Sequence, residues 1–413
     1  MVSWKRNLYV IWATQIISIA GFGFALPFIP YFIQEVGITD TAELNRWVGL
    51  VNAIAPVGMG IMAPIWGFLA DKYGRKLMIV RAMIAGSVLL FAMSFAQTVQ
   101  GIFILRMLQG FFCGTVTAAA TLVSAGTPKE RLSFALGFFS SSTFIGLSLG
   151  PLVGGIAAEY LGYRLAFRIG GLLQAGGLIF VLILVRELSH LGSGTESTKN
   201  DTPSRKVNFL SLALILGTFF FLRFARMIMP PFVPLHVQNV LGTIDGASAV
   251  VGVITSLAAL AAATAGITIV RLGDKMNKLT LVSICLFCAM ALSFPLFFTG
   301  GLYSFTVFYV LAMFAIGSVE PSLQSYFSER TPANRRGRLF GIQTLVACAG
   351  WFCAPLASSF VSNTFSISHI FLFASLFIGI TFLYSLLARF GISRVSKSSE
   401  PAEEKNDSRS AAG

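Results

Sequence analysis

Apolar residues gather along this chain in blocks of roughly 20, parted by short polar stretches, instead of alternating with polar ones. Twelve blocks run over residues 8–32, 47–70, 77–96, 101–124, 134–157, 165–185, 209–234, 247–271, 279–298, 302–327, 339–361 and 366–388. At about 1.5 Å per residue each covers the ~30 Å hydrocarbon core of a bilayer, so the pattern predicts an all-α membrane protein with twelve transmembrane helices. The long polar interruption at 186–208, RELSHLGSGTESTKNDTPSRKVN, is rich in Gly, Ser, Thr and charge and reads as a linker. It divides the chain into one six-helix half at 1–185 and another at 209–392, and the polar stretch 393–413 reads as a disordered tail.

Composition closes off the soluble alternatives. Of the 413 residues only 11% are charged and 55% are apolar, with 39 Phe and 40 Gly, whereas soluble proteins carry about 25% charged residues. A net charge of +13 raises the question of nucleic acid, but the placement of the bases answers it. With the N-terminus inside, 24 of the 30 Lys and Arg fall in cytoplasmic segments, Arg81 counted among them, and only Arg46, Arg164 and Arg168 fall outside. That is the positive-inside asymmetry: it accounts for the basic balance, puts both termini in the cytoplasm and leaves no role for nucleic acid. The five cysteines, Cys113, Cys285, Cys288, Cys348 and Cys353, all lie within spans and read as small hydrophobes, with no metal site among them.

A shift of 204 residues superimposes the halves at unusual places. Pro27-Phe28-Ile29-Pro30 falls on Pro231-Phe232-Val233-Pro234, Thr127-Pro128 on Thr331-Pro332, Arg131 on Arg335, Gly137 on Gly341 and Pro151 on Pro355. Such a parallel repeat predicts a substrate site near the midplane between two halves that rock against each other.

Three motifs stand out. The loop after span two runs from Gly67 through Asp71, Lys72, Gly74, Arg75 and Lys76, a G-x-x-x-D-K-x-G-R-K pattern. It reads either as a positive-inside turn or as a set of ion pairs made in one conformation only. Span four carries Arg106, Gln109 and Gly110 as R-x-x-Q-G, and span five carries Gly146, Gly150, Pro151, Gly154 and Gly155 as G-x-x-x-G-P-x-x-G-G. The loop resembles the signature of the major facilitator superfamily, and the other two are similar to motifs of its bacterial twelve-span drug:proton antiporters. The resemblance implies that Asp71 docks near the start of span eleven, around Arg335 to Leu339, to hold the outward-facing state, with Arg131 and Arg335 in the same switch. It also implies that the span-five motif marks exporters, although small residues there serve helix packing equally well.

Among the 17 acidic residues only Glu320 lies deep in a span. A carboxyl group in lipid either pairs or stays protonated, which suits proton coupling; the competing reading is a carboxylate near the cytoplasmic boundary. Arg106, Arg223 and Arg226 are the basic residues inside spans, Arg226 with the alternative of snorkelling outward beside Pro230. By the resemblance, spans one, four, seven and ten line the cavity, so all four ionisable residues face it. Span one has no acid between Leu8 and Phe32, unlike many proton-coupled drug exporters, and three arginines against one glutamate favour neutral or anionic compounds over lipophilic cations. Phe24, Phe28, Tyr31, Phe219, Phe220 and Phe221 either line the cavity or pack and face lipid.

The expectation is a secondary transporter, not an enzyme, exporting amphiphilic small molecules from a bacterium across its inner membrane in exchange for protons. It is expected to act as a monomer without cofactors; the alternative is a carrier for a sugar or organic anion. No G-x-x-x-x-G-K-S/T occurs, which argues against direct ATP use.

Overall fold

The computed structural model describes residues 4–185, 209–274, 276–331 and 336–398. The linker 186–208, Pro332 and Arg335 of the repeat, and the chain beyond 398 lie outside the described residues, as does the side chain of Asp71. Among the described residues every regular element is helical, and twelve spans are long and apolar enough to cross a membrane: Trp4–Glu35, Thr41–Ala70, Arg75–Met93, Val99–Gly126, Phe134–Leu161, Tyr163–Leu184, Leu212–Leu241, Ala247–Gly273, Lys278–Phe298, Leu302–Glu329, Leu339–Thr364 and His369–Phe390. They are numbered one to twelve in that order.

Local chemistry sets the ends. Asp40, Thr98 and Asn277 stand at helix N-termini and accept from the backbone N–H groups of Glu43, Gly101 and Leu279 at 2.8, 3.2 and 2.9 Å. Gly74, at φ +96°, ends span two and starts span three in a conformation glycine adopts without strain. The last helix, His369–Ser398, continues into the first residues of the stretch expected to be tail.

Four spans are interrupted, and they are the first, fourth, seventh and tenth. Span one breaks at the short 3-10 turn Leu26–Phe28 before Ile29–Glu35, and span seven breaks likewise at Pro230–Phe232 before Val233–Leu241. Proline at each break removes a helical donor. Span four breaks at Cys113 and Gly114, the latter at φ +141°, between Val99–Phe112 and Thr115–Gly126. Span ten breaks at Ser318, between Leu302–Gly317 and Val319–Arg330, three residues before Pro321. The interruptions therefore recur every third span in both halves of the chain. Discontinuous helices of this kind expose backbone polar groups where a site can use them.

Both ends of the described chain lie on one face of the bundle, here the terminal face. Spans one to six meet spans seven to twelve mainly at the opposite, far face. There Tyr31 Oη donates to the carbonyl of Pro234 at 2.6 Å, Asn45 Nδ2 to Asn363 Oδ1 at 3.0 Å, and Gly246 N–H to Glu159 Oε1 at 2.6 Å. Gln34 and Gln238, 204 residues apart, exchange amide hydrogen bonds at 2.9 and 3.0 Å. They are the same position in the two copies of the repeat, facing each other across it. Contact between spans two and eleven reaches Gly60, where an added Cβ would meet Cys348 at 3.2 Å, but around Gly67 and Gly341 nothing lies within 4 Å. The bundle is closed at its far face and parted toward its terminal face.

The reciprocal amides make a testable latch. Each hydrogen bond contributes about 1 kcal/mol, so Gln34→Ala with Gln238→Ala should raise the far-face-open population about thirtyfold. Spin labels at Ile38 and Leu241 would report it as a growing long-distance component; an unchanged distribution would show that the pair does not hold the face shut.

Candidate functional site

Span seven carries Arg223 and Arg226 one turn apart, and the break at Ser318 brings Glu320 of span ten between them. Arg226 Nη1 donates to Glu320 Oε2 at 2.7 Å, and Arg223 Nη2 donates to Oε1. Glu320 thus takes the paired alternative. Two guanidinium groups on one carboxylate are charge-assisted on both oxygens, and the cluster carries one net positive charge while Glu320 is ionised. The arginine side chains are 27% exposed and Glu320 is 21% exposed, so the cluster borders open space. Arg226 is engaged with Glu320 and does not snorkel to the far face.

Arg106 is placed differently. It is 8% exposed, donates through Nη1 to Gln109 Oε1 at 2.6 Å and through Nε to the carbonyl of Val51 at 3.5 Å, and forms no ion pair among the described residues. Of the four ionisable groups expected to share one cavity, three converge here, and Arg106 turns into the contact between spans four and two. Gly110 explains how close that contact is, since a Cβ there would sit 2.2 Å from the carbonyl oxygen of Ala55. The amide nitrogen of Gln109 has no partner among the described residues.

The break in span four gathers polar groups that sequence reading missed. Gln15 Nε2 reaches Thr115 Oγ1 at 3.4 Å, and Ser18 Oγ lies 3.4 Å from the same atom. The signal was Gly114, which frees the preceding turn. At the span-ten break Ser318 Oγ donates to Cys285 Sγ at 3.3 Å.

The span-five motif is a seam. Gly146, Gly150 and Gly154, one turn apart, lie against Ile19, Ala20 and Phe24 of span one, with an added Cβ 2.7, 2.8 and 2.3 Å from them. On the neighbouring face Gly155 meets Ser248 and Gly252 of span eight, and Pro151 offers its carbonyl side to Gly252. One helix thereby contacts both halves of the chain at backbone distance.

In the loop after span two, Gly74 makes the turn, Arg75 Nη1 donates to the carbonyl of Thr121 at 3.4 Å and Lys76 Nζ to that of Leu182 at 3.0 Å. Nothing lies within 4 Å of Gly67. Arg131 ends the 3-10 turn Lys129–Arg131 and precedes the helix Leu132–Leu161. Its expected counterpart Arg335 is outside the described residues, so the switch contact is not formed by described side chains.

Aromatic residues pack around these elements. Phe24, Phe28, Tyr31 and Phe219 are buried and pack here; Phe221 lies tilted beside Tyr384 and Phe377 at 4.8 and 5.8 Å. His236 is 3% exposed, between Phe305 and Phe371 at 4.4 and 4.8 Å.

The profile of the Major Facilitator Superfamily matches residues 11–243 and again residues 215–412. The chain belongs to the Major Facilitator Superfamily. As a member it is a multi-pass transporter of small molecules in a lipid bilayer. It is 28% identical to the "multi-drug resistance efflux pump PmrA homolog" of Lactococcus lactis subsp. lactis, over 94% of this chain and 95% of that one. To the pump PmrA of Streptococcus pneumoniae serotype 4 it is 29% identical over 94% and 96%, and to the multidrug resistance protein MdtG of Proteus mirabilis 27% over 94% and 96%. Among solved structures, an inward-facing, occupied bacterial homolog of the human lysosomal transporter Spinster aligns with TM-score 0.75 and 15% identity over 93% and 95% of the two chains. The nucleoside transporter NupG aligns with TM-score 0.76 and 13% identity over 92% and 99%; these two likenesses establish the superfamily fold alone.

Proposed function

We propose that the protein exports amphiphilic small molecules by alternating access in exchange for protons. Its two six-helix halves, 1–185 and 209–392, move as units, with both termini on the cytoplasmic side of a bacterial inner membrane. The relatives named as multidrug efflux pumps support the substrate class, and the Arg223–Glu320–Arg226 cluster carries the coupling. With Glu320 ionised the cluster holds one net positive charge, and its guanidinium groups are occupied. Protonating Glu320 raises the net charge to two and frees the arginines. A neutral amphiphile binds more readily to the first state than to the second, so substrate and proton compete, which is the requirement for exchange.

The same arithmetic separates the second reading. An organic anion binds more readily to the protonated, doubly positive state and travels with the proton. Because two arginines face one glutamate, carriage of a defined anion is the alternative. A panel of fluorescent neutral, cationic and anionic compounds, offered to inverted vesicles at fixed and reversed pH gradients, decides between them. Uptake of neutral amphiphiles against the direction of proton flow is expected. Uptake of anions alone, with proton flow, would replace the exporter by the anion carrier.

The loop and span five take supporting roles in this reading. Asp71, Arg131 and Arg335 with Gly67, Gly74, Arg75 and Lys76 form the contact that closes the terminal face when the far face opens, and the glycines of span five let that helix slide.

A further inference from the structure

A pocket of 430 Å³ lies at the far face on the seam between spans two and eleven, lined by Arg46 from one half and by Leu356, Ser359, Phe360, Asn363 and Thr364 from the other. Beside it the halves meet closely. A Cβ added at Gly49 would lie 2.6 Å from the Cβ of Ser359 and 2.9 Å from the carbonyl oxygen of Pro355, and Asn363 Nδ2 donates to the carbonyl of Ala42 at 3.2 Å. The two walls stand together only while the far face is shut. Arg46 is about 8 Å along its helix from Thr41, and Leu356 lies about 12 Å below Thr364, where the other helix ends. Phe360 is 71% exposed on a span apolar enough to cross a membrane. The mouth of the pocket is therefore at the level of the lipid headgroups, and its apolar wall runs down toward the acyl chains.

The polar part of the lining consists of donors. Arg46 is exposed, and no carboxylate among the described residues pairs with it. Glu43, one turn before it, is turned to Trp47, whose Nε1 donates to Glu43 Oε1 at 3.3 Å. Across the seam Ser359 brings a hydroxyl, and Asn363 Nδ2 keeps a second hydrogen beyond the one given to Ala42. No acidic residue lines the pocket. An accessible guanidinium with amide and hydroxyl donors opposite, above an apolar wall, is complementary to an anion that carries an alkyl chain.

We infer that this pocket binds the headgroup of an anionic phospholipid of the far-side leaflet, its phosphate on Arg46 and an acyl chain along Leu356 and Phe360, and that the bound lipid holds the far face shut. Guanidinium groups fit phosphate oxygens in pairs of charge-assisted hydrogen bonds. Arg46 belongs to one half and every other lining residue to the other, so the lipid touches both halves at once. Rocking the halves apart separates its contacts, and a ligand that prefers one state shifts the population toward it. By the same linkage the shut state binds the lipid more tightly than the open one. The inference needs two halves that part at the far face and does not depend on the direction of transport or on its coupling to protons.

The test reads binding and conformation in the purified full chain. In native mass spectrometry from neutral detergent, Arg46→Gln should lower phosphatidylglycerol affinity about tenfold, the loss of charge-assisted hydrogen bonds. Arg168→Gln, which removes a base near the start of span six, should bind as the wild type does. In nanodiscs, spin labels at Ile38 and Leu241 should show a smaller far-face-open fraction in phosphatidylglycerol than in phosphatidylcholine, and Arg46→Gln should abolish the difference. Thr364→Trp fills the pocket, leaves Arg46 in place and should act as Arg46→Gln does; it keeps the test open if that variant folds poorly. Equal lipid retention by the wild type and both pocket variants would overturn the site, and so would an equal loss with Arg168→Gln. Identical distance distributions in the two lipids would overturn the hold on the far face. If inorganic phosphate in detergent closed the face through Arg46 as fully as the lipid does, the pocket would belong to a soluble anion and the lipid assignment would fail.

Discussion

Gly154→Leu should abolish transport in protein that still reaches the membrane, lowering uptake per molecule about a hundredfold, or roughly 2.7 kcal/mol in the barrier. A Cβ at Gly154 would lie 2.3 Å from the carbonyl oxygen of Phe24, and one at Gly150 would lie 2.8 Å from that of Ala20. Neither neighbour is a flexible side chain, so span one must move away as a body. Helices in lipid associate through such close small-residue contact and not through hydrophobic burial. The position sits where span five also meets span eight through Gly155, so separating spans one and five disturbs the seam between the halves. Gly137→Leu is the control on the same helix, because nothing lies within 4 Å of it. Vesicle uptake normalised to inserted protein should fall for Gly154→Leu only; equal activity of the two variants would remove the motif from the mechanism.

Glu320→Gln carries the second large effect. Losing the carboxylate leaves Arg223 and Arg226 as two like charges one turn apart without their shared partner. Breaking a buried pair from one side costs about 3–5 kcal/mol, and the exposure of 27% and 21% at this cluster puts the expected loss at the low end, about 3 kcal/mol. Adding Arg226→Gln should restore more than half of it, because the second substitution removes the repulsion that the first uncovers. Thermal unfolding of the two single variants and the double in detergent would measure the coupling. Additive losses would mean that the three side chains do not act as a unit.

What the sequence disclosed follows from which signals are local. Span number was legible because a bilayer requires apolar length. The repeat was legible because prolines at 27 and 30 and at 231 and 234 break their helices alike. Gln34 and Gln238 obey the same shift, but nothing in either residue's type said that the two copies would face each other. Glu320 and its arginines were legible as ionisable groups in lipid, and their pairing depended on how spans seven and ten are turned. The partners of Arg106 were illegible in part for the same reason: Gln109, one turn away, is a local partner, whereas the carbonyl of Val51 belongs to another helix. The breaks at Cys113–Gly114 and Ser318 were hidden because an apolar run looks the same whether its helix is continuous or not. Arg81 was counted with the cytoplasmic bases although the block 77–96 contains it, and its stack on Trp66 was illegible because that ring belongs to another helix. The burial of Phe28, Tyr31 and Phe219 likewise depended on which face of each helix meets its neighbours.

The central claim is that Glu320 couples substrate movement to protons, and the measurement that tests it most directly compares two modes of transport by one variant. Well-expressed Glu320→Gln in proteoliposomes should retain substrate exchange at equal pH, where no net proton moves, with weaker substrate affinity because the variant holds the charge of the protonated state, and lose uptake driven by a pH gradient. Gradient-driven uptake at the wild-type rate in that variant would contradict the account.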